Sequence, residues 1–351
     1  VNWIKAYVGS IGPQDIYLLE CTNTNGQTVQ ILNYGGIVHK WSVPIGHNGK
    51  SHDILLGKDD LDGYITDQAN FGCIIGRYAN RIAGGRLVID NQTYLLSRNL
   101  NGHHLHGGFL GFGKKVWNID DIQQETDQAT LILSYESPDG EEGYPGNLKT
   151  EVRYTFTNQN ELIITFYAQS DKNTVCNLTN HCYFNLGNTS QILDHEVQIK
   201  ASQITETDEN LIPTGRFTNV LDTIYDFTKP RSFEWKNYPG ADLVDKQNGY
   251  DNNFVINDSE NYEEHPVAVV TEDENRLILE VFSSKPGLQL YTGNWLEGVK
   301  GKNNTTYQKN AGFCLEAQFF PDSPNHPEFP DTLLKTGTTY HHYLKYKLTT
   351  K

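Results

Sequence analysis

The chain has 351 residues, 37% of them hydrophobic and 20% charged, which is enough apolar material for a sizeable core in a soluble globular protein. A formal net charge of −15, with no run of Lys and Arg, argues against nucleic acid and anionic membrane as partners; a neutral ligand is unaffected by it, and a local basic pocket could still override it for an anionic one. The five cysteines are odd in number and form no C-x-x-C pair, so neither a disulfide framework nor a zinc knuckle is expected, and reduced thiols in the cytoplasm are the simplest reading.

Val1 to Ser10 lack a basic stretch followed by an apolar one, and no segment approaches the roughly 18 apolar residues of a membrane span. N-x-S/T triplets at Asn91, Asn177, Asn188 and Asn257 are the chance yield of a chain rich in Asn and Thr. Turn clusters fall at Asn25-Gly26, His47-Asn48-Gly49, Pro138-Asp139-Gly140, Tyr144-Pro145-Gly146 and Lys285-Pro286-Gly287. Between them the apolar residues alternate. Val152, Tyr154 and Phe156 share one face, as do Leu162, Ile164, Phe166 and Ala168, then Val197 and Ile199, and finally His342, Leu344, Tyr346 and Leu348. No window of about a dozen residues carries a 3.6-residue apolar period, and no linker or repeat interrupts the chain. The expectation is an all-β fold of large antiparallel sheets in one domain over residues 1–351.

Four segments could carry chemistry. In Arg98–Gly108, an extended backbone would point His104 and His106 the same way, a spacing found in metal sites, but no Asp, Glu or Cys nearby completes a ligand set. Alternatively, Gly107 and Gly108 lack side chains so that a ligand can come close to the histidine. The overlapping Gly108–Lys114 fits G-x-x-x-x-G-K, yet Lys115 stands where a Ser or Thr belongs and no helix follows, so a phosphate loop is rejected. Asn177–Leu186, read as a strand, puts Asn177, Thr179, His181 and Tyr183 opposite Leu178, Cys182 and Phe184. In Ala311–Phe319 the apolar face is Phe313, Leu315, Ala317 and Phe319, with Cys314, Glu316 and Gln318 on the other. Glu316 there either meets solvent on an outer sheet face or lines a cleft where desolvation raises its pKa. Asp251 and Gln289 add polar groups suited to a ligand with many hydroxyls.

Taken together these segments resemble the aldose 1-epimerase family. The matching stretches are Phe71–Ile82, Leu105–Gly108, Ser137–Gly146, Asn177–Leu186, Asp208–Gly215, Gly249–Asp251, Gln289–Asn294 and Leu315–Gln318, the last followed by Pro321-Asp322 and Pro324–Pro327. The resemblance implies a β-supersandwich and a cofactor-free, metal-free isomerase that interconverts the anomers of a free hexose such as galactose or glucose. It implies Glu316 as general base, His181 as general acid and His106 as a group that binds and polarises the sugar. Asn80, Arg81, Tyr183, Asp251 and Gln289 would hold the remaining hydroxyls. Cys182 and Asn252 depart from the family's usual residues; Cys182 points away from His181 by alternation, so neither change touches the chemistry, and Asn252 leaves sugar preference open. The expected assembly is a monomer or weak homodimer. Two rivals are a hexose-6-phosphate epimerase, which would need a phosphate clamp from Arg81 and Arg77, and a sugar-binding module without catalysis. A glycoside hydrolase built on Glu316 and Asp251 would leave His181 without a task.

Overall fold

Strand Leu148–Thr157 buries Val152, Tyr154 and Phe156 and pairs antiparallel with Glu161–Ser170, which buries Leu162, Ile164, Phe166 and Ala168. The latter pairs in turn with Tyr340–Thr350, where Leu344, Tyr346 and Leu348 are buried and His342 is half-buried. These period-two segments have become the centre of a nine-stranded sheet, and Glu196–Ile199, with Val197 and Ile199 inward, lies towards its far side. The coordinates are a computed structural model that describes residues 1–45, 49–257 and 264–351. The expected turn residues His47 and Asn48, and the Asp258 and Ser259 that follow Asn257, lie outside them.

Two five-stranded sheets complete the frame. The first is an antiparallel meander of consecutive strands from Asn2 to Asp53. The second, here the site sheet, runs in the order Pro213–Asn219, Ala201–Thr207, Asp251–Ile256, Gly287–Tyr291, Cys314–Gln318. A continuous core cluster draws on all three sheets, from Trp3 through Val152 and Leu288 to Leu348. Specific contacts tie the layers together. Trp3 Nε1 donates to the Ala129 carbonyl at 3.1 Å, the Trp41 and Phe156 rings meet edge to face at 6.1 Å, and Tyr346 Oη donates to the Leu315 carbonyl at 3.5 Å.

The missing helical period has its counterpart among the described residues in two α-helices of five residues each, Leu61–Ile65 and Ala241–Asp245, beside short 3-10 turns. Among the described residues no helix is long and apolar enough to cross a membrane. All five cysteines are unpaired and buried.

One expected strand needs correcting. Of Asn177–Leu186 only Thr179–Asn180 forms a ladder, with Ile74–Ile75, and the flanks make single bridges from Asn177 to Tyr78 and from Phe184 to both Leu55 and Phe313. The segment touches several partners in turn, so no one neighbour stays alongside it long enough for a regular ladder. Alternation of the side chains nevertheless persists: Leu178, Cys182 and Phe184 enter the main core while His181 and Tyr183 face a cavity.

Candidate active site

The loop before His106 is fixed by Ser137–Gly146. Tyr144 Oη lies 2.6 Å from His104 Nε2, and His104 Nδ1 lies 2.7 Å from the Ser97 carbonyl. The carbonyl can only accept, so Nδ1 carries the proton and Tyr144 donates to Nε2. His104 is therefore fully buried and satisfied. The expectation that it shares a direction with His106 fails because His106 has φ of 52°, a left-handed conformation that ends the alternation. Glu142 accepts from the Phe109 and Leu110 amides at 3.2 and 2.9 Å. Gly107 and Gly108 also have a different role from the one expected. A Cβ on Gly107 would stand 1.8 Å from the Gly76 carbonyl, and one on Gly108 would stand 2.1 Å from the Glu142 carboxylate. Their missing side chains admit the protein itself rather than a ligand.

Phe71–Ile82 brings Asn80 and Arg81. Asn80 is left-handed too, with φ of 65°. It clamps His106 reciprocally: the His106 amide donates to the Asn80 carbonyl at 3.0 Å, and the Asn80 amide donates to His106 Nδ1 at 3.2 Å. With Nδ1 occupied as an acceptor, a neutral His106 holds its proton on Nε2 and presents a donor. Burial, then the neighbouring His181 and Arg81, push its pKa well below the usual imidazole value and keep it neutral.

His181 is held by two backbone bonds, its amide to the Cys73 carbonyl at 3.0 Å and its carbonyl from the Gly72 amide at 2.9 Å. Its ring packs against Tyr183, with centroids 5.0 Å apart, and against His106 at 5.3 Å. Tyr183 Oη donates to the Ala69 carbonyl at 2.9 Å, so towards a ligand it offers only lone pairs and a ring. Cys314, which the sequence reading did not single out, places its Sγ 3.6 Å from His181 Nδ1. It sits two residues before Glu316, so the alternation of that strand already put it on the same face.

Glu316 lies on the last strand of the site sheet, 2% exposed, and pairs in register with Gln289. Of the two readings of its face, the lined cleft is the observed one. Its Oε1 is 3.6 Å from His181 Nε2, while Oε2 is buried with no hydrogen-bond partner among the described residues. An unsatisfied buried carboxylate oxygen costs about 1–3 kcal/mol or more, so such an atom is tolerated where a ligand supplies the missing proton. Burial, reinforced by the nearby Asp251 charge, raises the Glu316 pKa well above the ordinary carboxyl value, and burial lowers that of His181 to about 4. Desolvation thus drives both groups towards neutrality.

These residues surround a cavity of about 510 Å³ whose wall includes Asn80, Arg81, His106, His181, Tyr183, Asp251 and Glu316. That volume suits a small ligand. Gln289 lies beside the wall, paired in register with Glu316. Its Nε2 donates to Asp251 Oδ1 at 2.6 Å and its Oε1 accepts from Gln318 at 3.2 Å, so it anchors Asp251 from behind. Asp251 faces Arg81 at 3.6 Å, and Lys58 on the same wall faces Asp67 at 3.6 Å. Arg77 is buried and spends its guanidinium on Ser137, Pro138 and Pro145. Arg77 and Lys58 are thus engaged elsewhere, while Arg81, whose Nε has no partner among the described residues, is the one cation of the three left with a free donor, a single group where a phosphate clamp needs several. Lys114 of the rejected phosphate loop is bonded to the carbonyls of Tyr64, Ile65 and Asp67.

His106, His181 and Glu316 can each offer a metal ligand atom, all within 4.8 Å of one another. The absent carboxylate that weakened the metal reading of the sequence is thus supplied from a distant strand. The Asn80 amide still opposes the fit, because a metal on His106 Nε2 needs the ring proton on Nδ1, where it would face an N–H donor. The set does not suit a metal.

A family model described as aldose 1-epimerase matches residues 17–347. The galactose mutarotase of Mus musculus is 41% identical over 324 residues, covering 91% of this chain and 90% of that protein. The aldose 1-epimerase of Escherichia coli (strain K12) is 36% identical over 337 residues, covering 95% of each. Among solved structures, galactose 1-epimerase from Lactobacillus acidophilus superposes with a TM-score of 0.88 at 26% identity, over 100% of this chain and 99% of that one.

Proposed function

The chain belongs to the aldose 1-epimerase family, and from that premise we propose that its cavity takes a free hexose such as galactose and that Glu316 and His181 open and reclose the ring. The enzyme is an isomerase of carbohydrate metabolism that interconverts the α and β anomers. The observation that carries the reading of the site is the Glu316–His181 pair, 3.6 Å apart and buried at the cavity wall, with one carboxylate oxygen lacking a hydrogen-bond partner among the described residues.

Mutarotation removes a proton from O1 and delivers one to O5. Both oxygens are bonded to C1, so acceptor and donor must stand within a few ångströms of each other, as this pair does. Ionised Glu316 takes the O1 proton, the O1–C1 bond gains double-bond character, C1–O5 breaks, and O5 takes a proton from His181. Rotation about C1–C2 presents the other carbonyl face, and closure returns each proton to its source. No electrons are lost or gained. The pair begins and ends with a single proton, carried on His181 before opening and on Glu316 in the open-chain state. The latter distribution has no net charge on either group, which is what burial favours in the unliganded site. His106 Nε2–H donates to a ring-side oxygen, and Asn80, Arg81, Asp251 and the Tyr183 lone pairs hold other hydroxyls, with Gln289 keeping Asp251 in place. A module that only binds sugar has no need of a buried acid and base side by side.

Protein dialysed exhaustively against EDTA should speed the approach of fresh α-D-galactose to its equilibrium optical rotation. No acceleration on galactose or glucose would refute the reading. Activity lost to EDTA and restored by Zn²⁺ would show that the trio is a metal centre after all.

A further inference from the structure

Four of the five tryptophans are buried: Trp3, Trp41, Trp117 and Trp235 are at most 3% exposed. Trp295 is 68% exposed, although Asn294 before it and Leu296 after it are 3% and 1% exposed. The turn that carries it is firmly held. The Trp295 amide donates to Tyr291 Oη at 3.2 Å, Asn294 Nδ2 donates to the Tyr250 carbonyl at 3.1 Å, and the Leu296 amide donates to the Gly293 carbonyl at 3.3 Å. The indole itself makes no hydrogen bond or ring contact among the described residues. Trp295 lines the 510 Å³ cavity, and it also lines an adjoining cleft of about 850 Å³ that shares Arg81, Leu100 and Asp251 with it.

A tryptophan carried on a firmly bonded turn at the mouth of a polar cavity is placed to be covered by a ligand that enters it. The sugar is able to cover it. A hexose chair turns its hydroxyls outwards round its rim and carries C–H bonds on its faces. In galactose the axial O4 leaves C3–H, C4–H and C5–H together on one face, whereas in glucose C4–H lies on the opposite face. We propose that Trp295 is a specificity-determining residue whose indole packs against this C–H face of galactose while Arg81 and Asp251 engage the hydroxyls. The inference rests on the cavity being the hexose site.

Acrylamide quenching of tryptophan fluorescence reads Trp295 selectively, since the other four indoles are buried. Saturating galactose should lower the quenching constant at least about twofold, and Trp295→Phe should abolish the galactose-dependent change. Trp295→Ala should raise KM for galactose about tenfold, and KM for glucose by less, with kcat falling less than about threefold. Trp295→Phe should keep KM within about threefold of the parent. Equal quenching with and without saturating galactose, or an unchanged KM in Trp295→Ala, would overturn the assignment even in an enzyme with full mutarotase activity. Absence of mutarotation in the parent protein would instead remove the reading of the cavity, while sugar protection of Trp295 would still support the platform.

Discussion

Glu316→Gln and His181→Asn should each lose at least about 10³-fold in kcat, and the double variant should be worse than either by less than about tenfold. The reason lies in the chemistry of one carbon. Taking the O1 proton without protonating O5 forces alkoxide character onto the departing oxygen. Protonating O5 without the base leaves an oxocarbenium ion. Each single loss therefore forfeits the benefit of concerted transfer, and the second has little left to remove. Glutamine and asparagine roughly keep the size and hydrogen-bonding capacity of the originals, and burial favours the neutral form of both groups, so the fold and sugar binding should survive. Costs that multiply in the double variant, with all three proteins folded, would mean independent contributions. Near-parental turnover in either single variant would remove that residue from the mechanism.

The second large effect is expected at His106. His106→Asn should lower kcat about 10²-fold and raise KM several-fold, while leaving measurable catalysis. Asparagine is the appropriate replacement because it tolerates the left-handed backbone at φ 52°, so the Asn80 clamp and the loop geometry should persist. What disappears is the Nε2–H donor to which the proposed mechanism gives the ring-side oxygen, an interaction that would strengthen as negative charge develops on the opening oxygen. An unchanged KM for galactose would defeat this assignment. A complete loss of activity matching the Glu316 variant would make His106 an obligatory proton carrier.

Period-two alternation made the long strands legible, because a half-buried sheet face writes itself directly into the order of residues. Alternation says which side chains share a face but not what covers that face, so Glu316 could have been solvated; only the approach of the His181 segment, 135 residues earlier in the chain, decides it. Two failures have local backbone causes. The left-handed residue at 106 broke the assumed pairing of His104 with His106, and the succession of partners along Asn177–Leu186 broke the assumed ladder. Gly107 and Gly108 were recognisable as required glycines, but whether they yield to a ligand or to a carbonyl depends on Gly76 and Glu142, which no spacing rule connects to them. The bond that Gln289 makes to the Asp251 carboxylate joins two distant stretches of the chain, and no spacing rule foretells it. Trp295 was legible only as one tryptophan among five; its exposure between two buried neighbours belongs to the fold.

The central claim, that turnover requires exactly one proton on the Glu316–His181 pair, is tested most directly by kcat/KM for galactose from about pH 3.5 to about pH 10. At the acid end both groups are protonated and Glu316 cannot accept. The first proton leaves at the step that burial of His181 sets near 4, so the rate should rise through that pH. The second leaves well above the ordinary carboxyl value, because burial raises Glu316, and beyond it His181 has no proton to give, so the rate should fall again on the alkaline side. Burial holds the His106 pKa well below the usual imidazole value, so this residue should add no limb on the neutral or alkaline side. A profile that rises at the acid end, levels and falls at the alkaline end is the expected result; a rate that climbs or stays level to the alkaline limit, in protein shown to be folded there, would contradict a one-proton pair.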